Sequence, residues 1–476
     1  MPLPPARRWL SILLALAAGA ALRLWFIHAY PEVDGDPLIY GDIAKNWLQH
    51  GIYGLTTDSG IHPTLIRLPG YPLFLAICFT LFGMEHYHAV MFAQTAIDLG
   101  TCLLIAALVG SLWNGRAAMT ALWLGALCPF TANYAATPLA ETLSIFCVAL
   151  GFYSLLHWLE KPGILWLLSL AFAISYATLL RPDGALLAVT LCPAVFLYGR
   201  NRRWQTRNPS SGDDGARVAP RGPAVALKLA IAAGLLSIVP CLPWTIRNWQ
   251  SFHVFQPLAP RYAMDPGDFT YPGFNRWVKT WCVDLVSTSE VYWNGNSDKI
   301  DIDDLPARAF DTAQQYQQTK QLLDDYNQST TLSPEIDARF EELARQRTQG
   351  HGFRYYIALP LARLADMWLR PRTEILWIEM RWWDHYHHPE ESDFCIAYAA
   401  LNLAYLVAAA IGLLRWPRLA GVMLAFILLR SALLLTLEAP EPRYTLECFP
   451  VIIALASIAC GGKRPTPTTS APASQI

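Results

Sequence analysis

The sequence predicts an all-α integral membrane protein with about ten transmembrane helices, and three observations support this. The chain of 476 residues is 54% hydrophobic and only 15% charged, whereas soluble globular chains carry roughly 25% charged residues. Its charges are also unevenly spread, because long stretches lack them while residues 296–350 are dense in them. Several apolar stretches approach the roughly 20 residues that a helix needs to cross a bilayer. The net charge of −1 gives no indication of a nucleic-acid partner.

Each apolar stretch of sufficient length is a predicted span. The stretches are 9–28, 87–112, 117–134, 141–159, 163–180, 184–199, 224–245, 394–414, 419–437 and 444–460. The apolar stretch 71–83 is too short to cross the bilayer, so we expect an interfacial helix there, within the first outer loop.

Basic residues in the short loops fix the predicted orientation, because Lys and Arg favour the cytoplasmic side. With the N-terminus inside, every loop expected inside is basic. These residues are Arg116, Lys161, Arg200, Arg202, Arg203, Arg207, Arg217, Arg221, Arg415, Arg418, Lys463 and Arg464. The topology divides the chain into a membrane module (1–245) with an outer loop at 29–70, an outer segment (246–393), and C-terminal membrane helices with a tail (394–476).

The outer segment contains a predicted helix start. Ser333 is a typical N-cap and Pro334 suits the first helical position. Ile336, Phe340, Leu343 and Ala344 follow at helical spacing and form one apolar stripe. We therefore expect a small helical subdomain on the outer side.

Ionisable residues near the span ends fall on this same outer side. They are Asp34, Asp36, Asp42, Glu141, Arg181, Asp183, Arg247, Glu438, Glu441 and Arg443. Such groups at membrane depth are costly and often mark a functional site, although any one of them could be an anchor in interfacial water. Carboxylates beside arginines at the membrane surface suit a lipid that carries a phosphate, because arginine binds phosphate oxygens bidentately.

The outer loop has a recognisable motif. Asp36 is followed four residues later by Tyr40, and the run Arg67-Leu68-Pro69-Gly70-Tyr71-Pro72 comes before an apolar helix. This resembles the first outer loop of GT-C class membrane glycosyltransferases, such as the protein O-mannosyltransferases and the lipid A aminoarabinose transferases. Further similar segments follow in the expected order: Thr137 to Glu141, Leu180 to Gly184, Pro243 to Asn248, and Arg443-Tyr444 before Phe449-Pro450.

The resemblance implies a role for each of these residues. Asp36 would be the general base, with Asp34 as its competitor. Glu141 would support Asp36 or share a divalent cation, Mg²⁺ or Mn²⁺, with it. Arg181, Arg247 and Arg443 would bind the donor phosphate. Tyr40 and Tyr71 would contact substrate, although both also suit an aromatic belt.

The resemblance also implies a function, namely inverting transfer of a sugar from a polyprenyl phosphate to a hydroxyl group. The loop style indicates the periplasmic face of a bacterial inner membrane. Two departures leave the acceptor open among envelope glycan, lipid and protein: Pro37 follows Asp36, and Arg67-Leu68-Pro69-Gly70 stands where the aminoarabinose transferases have a Glu-Lys pair. The alternatives are a flippase for a lipid-linked sugar, a glycan polymerase or ligase, and an assembly factor.

Overall fold

The computed structural model describes residues 5–200, 203–205, 218–220 and 223–462. Of the predicted cytoplasmic basic residues, Arg202, Arg207, Arg217, Arg221, Lys463 and Arg464 lie outside the described residues. The described chain is predominantly helical, as predicted, with two short hairpins.

The first membrane module contains eleven of the described helices. They are α1 (Pro5–Ala29), α2 (Asp36–His50), α3 (Gly70–Phe82), α4 (Tyr87–Leu112), α5 (Gly115–Ala126), α6 (Pro129–Ala132), α7 (Glu141–Glu160), α8 (Ile164–Leu180), α9 (Leu186–Gly199), α10 (Pro223–Ile238) and α11 (Leu242–Phe252). Strands β1 (Gly54–Thr57) and β2 (Gly60–Pro63) form an antiparallel hairpin in the outer loop, and β3 (Arg203–Gln205) pairs with β4 (Val218–Pro220).

The remaining helices belong to the outer segment and the C-terminal part. They are α12 (Pro272–Lys279), α13 (Leu285–Ser287), α14 (Ala313–Tyr326), α15 (Pro334–Thr348), α16 (Leu359–Leu369), α17 (Pro389–Leu414), α18 (Ala420–Leu434) and α19 (Phe449–Cys460). Ser333 caps α15 as predicted, because its side chain accepts a hydrogen bond from the Ile336 N–H. The apolar stripe of α15 packs into a hydrophobic core built around Trp277, Trp281 and Phe340.

The predicted count of ten spans is not confirmed. Seven helical stretches among the described residues are long and apolar enough to cross a membrane. They are Arg7–Ala29, Tyr87–Leu112, Glu141–Glu160, Pro182–Gly199, Pro223–Phe252, Pro389–Leu414 and Pro442–Cys460. The predicted spans 163–180 and 419–437 correspond to the shorter helices α8, of 17 residues, and α18, of 15 residues.

The predicted span 117–134 is wrong as a single helix, because the helix breaks after Ala126. Pro129 has no N–H to donate to the Gly125 carbonyl, so the helix cannot continue past this point. The Gly125 carbonyl instead accepts from the Cys128 N–H at 3.3 Å, and the buried Arg23 of α1 donates to it from Nη2 at 3.4 Å. Its Nη1 donates to the Ala126 carbonyl at 2.7 Å, and its Nε donates to Asp98 Oδ2 of α4 at 2.7 Å.

The buried Arg23–Asp98 pair gives a stability prediction. Asp98→Leu leaves the Arg23 guanidinium without a counter-charge, and we expect it to destabilise the protein by about 3–5 kcal/mol. The double variant Arg23→Met/Asp98→Leu buries no charge and should recover much of that loss. Thermal unfolding in detergent measures both effects. A single variant as stable as the parent would contradict this role for the pair.

Candidate active site

Asp36 is placed at the start of α2 by the residues on either side of it. Gly35 has a φ of 61°, in the left-handed region that glycine adopts readily. Pro37 then occupies the first turn, where its missing N–H costs no helical hydrogen bond. A carboxylate at this end also interacts favourably with the helix dipole. The local sequence thus fixes Asp36 at the beginning of the first outer helix.

Two arginines from distant parts of the chain hold the Asp36 carboxylate. Arg67 Nη2 donates to Oδ1 at 2.6 Å, and both terminal nitrogens of Arg443 lie 3.3 Å from Oδ2. Burial alone would raise the pKa of Asp36, but the two guanidinium groups outweigh it and hold that pKa below its usual range. Asp36 is therefore ionised at neutral pH, while its side chain keeps 27% of its surface exposed.

A second, more buried set of ion pairs surrounds Glu141 at the start of α7. Arg181 Nη1 donates to Glu141 Oε1 at 2.7 Å, and Arg181 Nε lies 3.3 Å from Asp183 and 3.4 Å from Glu447. Arg430 reaches the same carboxylates from inside α18, at 2.9 Å from Asp183 Oδ2 and 2.6 Å from Glu447 Oε2. Glu141 is only 2% exposed.

Tyr444 connects the two sets. Arg181 lies over its ring at 5.2 Å and Arg443 at 5.7 Å from the ring centre. The Tyr444 hydroxyl donates to Glu441 Oε1 at 2.5 Å, and Arg443 Nε donates to Glu441 Oε2 at 2.6 Å. We call the combined set the outer ion-pair network. Its members are Asp36, Arg67, Glu141, Arg181, Asp183, Arg430, Glu441, Arg443, Tyr444 and Glu447.

Arg372 anchors the segment that carries the last four members of this network. Its guanidinium group is buried and donates to the Pro442 carbonyl at 3.0 Å and to Thr445 Oγ1 at 2.5 Å. It also donates to Asn402 Oδ1 at 3.3 Å and lies 4.8 Å from the centre of the Phe449 ring. Because these partners flank Arg443 and Tyr444, Arg372 fixes the backbone that presents them.

The two predicted tyrosines differ in their surroundings. Tyr40 borders the network, because Arg67 lies 5.7 Å from its ring centre and Tyr71 packs edge-on at 5.0 Å. Burial, partly offset by Arg67, raises the pKa of Tyr40 to about 12. Tyr71 is fully buried, and its hydroxyl donates to Gln94 Oε1 at 2.6 Å.

Two other predicted residues make no direct contact with the network among the described residues. Asp34 Oδ1 accepts a hydrogen bond from the neighbouring Gly35 N–H at 2.8 Å. Arg247 donates to the backbone carbonyls of Thr64, at 2.7 Å, and Tyr53, at 2.5 Å. Arg247 therefore ties the start of α11 to the first outer loop, and its binding of a phosphate stays a prediction.

An apolar cavity of about 520 Å³ opens beside this loop. Its wall includes Trp47, Tyr53, Leu73, Trp244 and Arg247. Pro69 and Gly70, which follow Arg67 closely in the sequence, also line it. The Tyr53 hydroxyl donates to the Arg67 carbonyl at 2.9 Å, which connects the cavity wall to the network. Gly70 permits the close approach of α3 to α8, because a Cβ there would lie 2.6 Å from the Leu179 backbone.

The network carboxylates are paired with arginines. Both oxygens of Asp36 and one of Glu141 face guanidinium groups. Across the described ranges, no three His, Cys, Asp or Glu side chains come together as a metal site. Since Mg²⁺ needs several oxygen ligands, a shared divalent cation would have to displace these guanidinium groups, and the predicted cation stays untested.

Residues 62–211 match the protein family described as dolichyl-phosphate-mannose-protein mannosyltransferase. The match includes Arg67, Glu141 and Arg181, while Asp36 precedes it and Arg443 follows it. It confirms the similarity to GT-C glycosyltransferases over this part of the chain. Among curated proteins, none matches the chain.

Solved structures show weaker similarity. The oligosaccharyltransferase of Archaeoglobus fulgidus, tethered with an acceptor peptide, is 12% identical over 96% of this chain and 49% of its own, with a TM-score of 0.49. ArnT from Cupriavidus metallidurans, bound to undecaprenyl phosphate, is 13% identical over 94% of this chain and 76% of its own, with a TM-score of 0.39. The chain thus spans about half the length of the oligosaccharyltransferase. Similarity at this level supports no conclusion about function.

The anchoring role of Arg372 gives a testable expectation. Arg372→Gln removes donors from Pro442 and Thr445, and losing such bonds costs about 1–3 kcal/mol. The amide hydrogens of the segment 442–448, which begin at Arg443 because proline has none, should therefore exchange about tenfold faster with solvent deuterium. Arg415→Gln is the matched control, because Arg415 binds the Ile458 and Gly462 carbonyls at the other end of α19. Exchange in 442–448 that is unchanged in Arg372→Gln, or equally faster in both variants, would contradict this role.

Proposed function

We propose that this chain is a membrane glycosyltransferase that transfers a sugar from a polyprenyl-phosphate donor to a hydroxyl acceptor. The observation that carries the proposal is Asp36, an ionised carboxylate held by Arg67 and Arg443. The Arg67 carbonyl accepts a hydrogen bond from Tyr53, which lines an apolar cavity. The description of the matched family names dolichyl-phosphate mannose, a sugar on a polyprenyl phosphate, and this supports the donor class.

The donor would lie across the boundary between the cavity and the network. Its polyprenyl chain would occupy the apolar cavity, where Trp47, Leu73 and Trp244 provide hydrophobic contacts. Its phosphate would bind Arg443 and Arg67, because both side chains keep 21% of their surface exposed and guanidinium groups pair bidentately with phosphate oxygens. These arginines would stabilise the negative charge of the departing phosphate.

Asp36 would act as the general base. It would accept the proton of the acceptor hydroxyl, whose oxygen attacks the anomeric carbon while the phosphate leaves from the opposite face with the bonding electrons. The anomeric configuration is inverted in such a displacement. Because phosphate would compete for the guanidinium groups that now lower the pKa of Asp36, donor binding would raise that pKa and make Asp36 a better base.

Glu141 and the other two predicted arginines would support this reaction in different ways. Arg181 faces three carboxylates, so its main role would be to position Glu141 and the Tyr444 ring. It would also contact the donor phosphate. Arg247 would hold the loop that forms the cavity wall. Asp34 is the alternative base, although its carboxylate turns toward its own backbone. No step of the proposed reaction requires a divalent cation.

The predicted orientation places this site on the periplasmic side of a bacterial inner membrane. Described basic residues support that assignment, because Lys161 and Arg200 lie at the far ends of α7 and α9 from Glu141 and Arg181. Acceptors on that side would be hydroxyl groups of envelope glycan, lipid or protein.

The base assignment is tested by Asp36→Asn in membranes supplied with radiolabelled sugars on undecaprenyl phosphate. Asparagine keeps the shape but cannot accept the proton, so we expect transfer to fall by about 10²–10⁴-fold. Asp34→Asn is the matched control two residues away and should retain most activity.

Three outcomes would contradict parts of this proposal. Normal transfer by Asp36→Asn would remove Asp36 from the catalytic role. Loss of transfer in Asp34→Asn alone would move the base to Asp34. Movement of the lipid-linked sugar across proteoliposomes by the parent chain, without transfer to any acceptor, would support a flippase instead.

A further inference from the structure

The helical segment at 353–369 in the outer segment has an apolar surface that the described residues leave exposed. A helical turn at Arg354–Ala358 continues directly into α16. Phe353, Ile357 and Leu361 recur every four residues and are 72%, 47% and 52% exposed. Residues at this spacing share one face of a helix, and Tyr356, 74% exposed, extends that face.

The two arginines of the same segment are bound by protein groups, and one of them is fully buried. Arg363 is fully buried and donates to the Lys279 carbonyl at 3.1 Å and the Cys282 carbonyl at 3.0 Å. Arg354 is ion-paired with Asp311 at 2.6 Å. A helix at a water interface shows the reverse arrangement, with charges outside and apolar residues against the core.

Helix α14 of the same outer segment shows that ordinary arrangement. Its buried residues are Thr319, Leu322, Leu323 and Tyr326. The residues on its exposed side are polar or charged, namely Gln314, Gln317, Lys320, Gln321 and Asp324. The two helices therefore face different surroundings, although they lie in one stretch of the chain.

The end of the 353–369 helix packs against apolar helices of the membrane part. Trp368 Nε1 lies 3.3 Å from Ser431 Oγ of α18, and Asn402 of α17 donates to the Trp368 carbonyl at 2.7 Å. Helix α17 is long and apolar enough to span a membrane. It exposes Ile396 and Leu403, so the apolar face of 353–369 adjoins a surface that lipid would cover.

We propose that the helix at 353–369 inserts its apolar face into the bilayer beside α17 and α18. Lipid acyl chains would cover Phe353, Tyr356, Ile357 and Leu361, and burial of these side chains would anchor the outer segment to the membrane. The buried Arg363 connects this anchor to the loop after α12. The hydrophobic core around Trp277, Trp281 and Phe340 is thereby held at the membrane surface.

Lipid contact is measured with a fluorophore on single cysteines in the full chain, reconstituted in phosphatidylcholine bilayers. Ile357→Cys and Leu361→Cys are the test variants, Gln321→Cys on α14 is the matched control, and the exposed Cys460 is replaced by Ser in each. All three sites are exposed, so labelling disturbs no buried contact. Lipids with nitroxide groups on their acyl chains should quench both test sites several-fold more than the control, and aqueous iodide should quench them less.

Two results would overturn the proposal. One is acyl-chain quenching at Ile357 and Leu361 no greater than at Gln321, with strong quenching by iodide. The other is protection of both sites from both quenchers, which would show that protein covers this face. Neither readout depends on catalytic activity, so the outcome is independent of the proposed function.

Discussion

The candidate site depends on the pairing of Asp36 and Arg67, both in the first outer loop, with Arg443 from the far end of the chain. A carboxylate or guanidinium group that is partly removed from water is strongly destabilising without a partner. The first outer loop and the segment before α19 therefore each stabilise the conformation of the other. Neither half of the site would be expected to form alone, and Tyr444 extends this dependence to the Glu141 ion pairs.

Arginine also serves as a backbone anchor elsewhere in this protein. Arg23 binds the end of α5, Arg247 binds the first outer loop, and Arg372 binds the segment before α19. Each of these places has carbonyl groups that no helix satisfies, and such groups are costly where water is scarce. The guanidinium group suits this task because it carries five N–H donors in one plane. The breaks in the helices thus become the places where distant segments are fixed.

Much of the site could be predicted from the sequence, because only residues at span ends on the same side of the membrane can come into contact. Asp36, Glu141, Arg181 and Arg443 all lie at predicted outer span ends, and the structure brings them together. Arg430 was missed because it lies within an apolar run, although a lone arginine there is itself a signal. The end of the helix before Pro129 was missed because a hydropathy count registers only apolar residues. It does not register that proline lacks the N–H that a continuing helix needs. The apolar face of 353–369 was missed because Arg354 and Arg363 interrupt the apolar sequence, and composition does not reveal that Arg363 is buried.

The most direct test is the structure of the full chain in lipid nanodiscs, determined with and without undecaprenyl phosphate. Without the ligand, the carboxylate of Asp36 should lie within about 4 Å of the guanidinium groups of Arg67 and Arg443. With the ligand, the phosphate should accept hydrogen bonds from these arginines while the polyprenyl chain fills the cavity beside Trp47 and Trp244. A phosphate bound away from both arginines, or an Asp36 carboxylate remote from Arg443 in the empty site, would contradict this account.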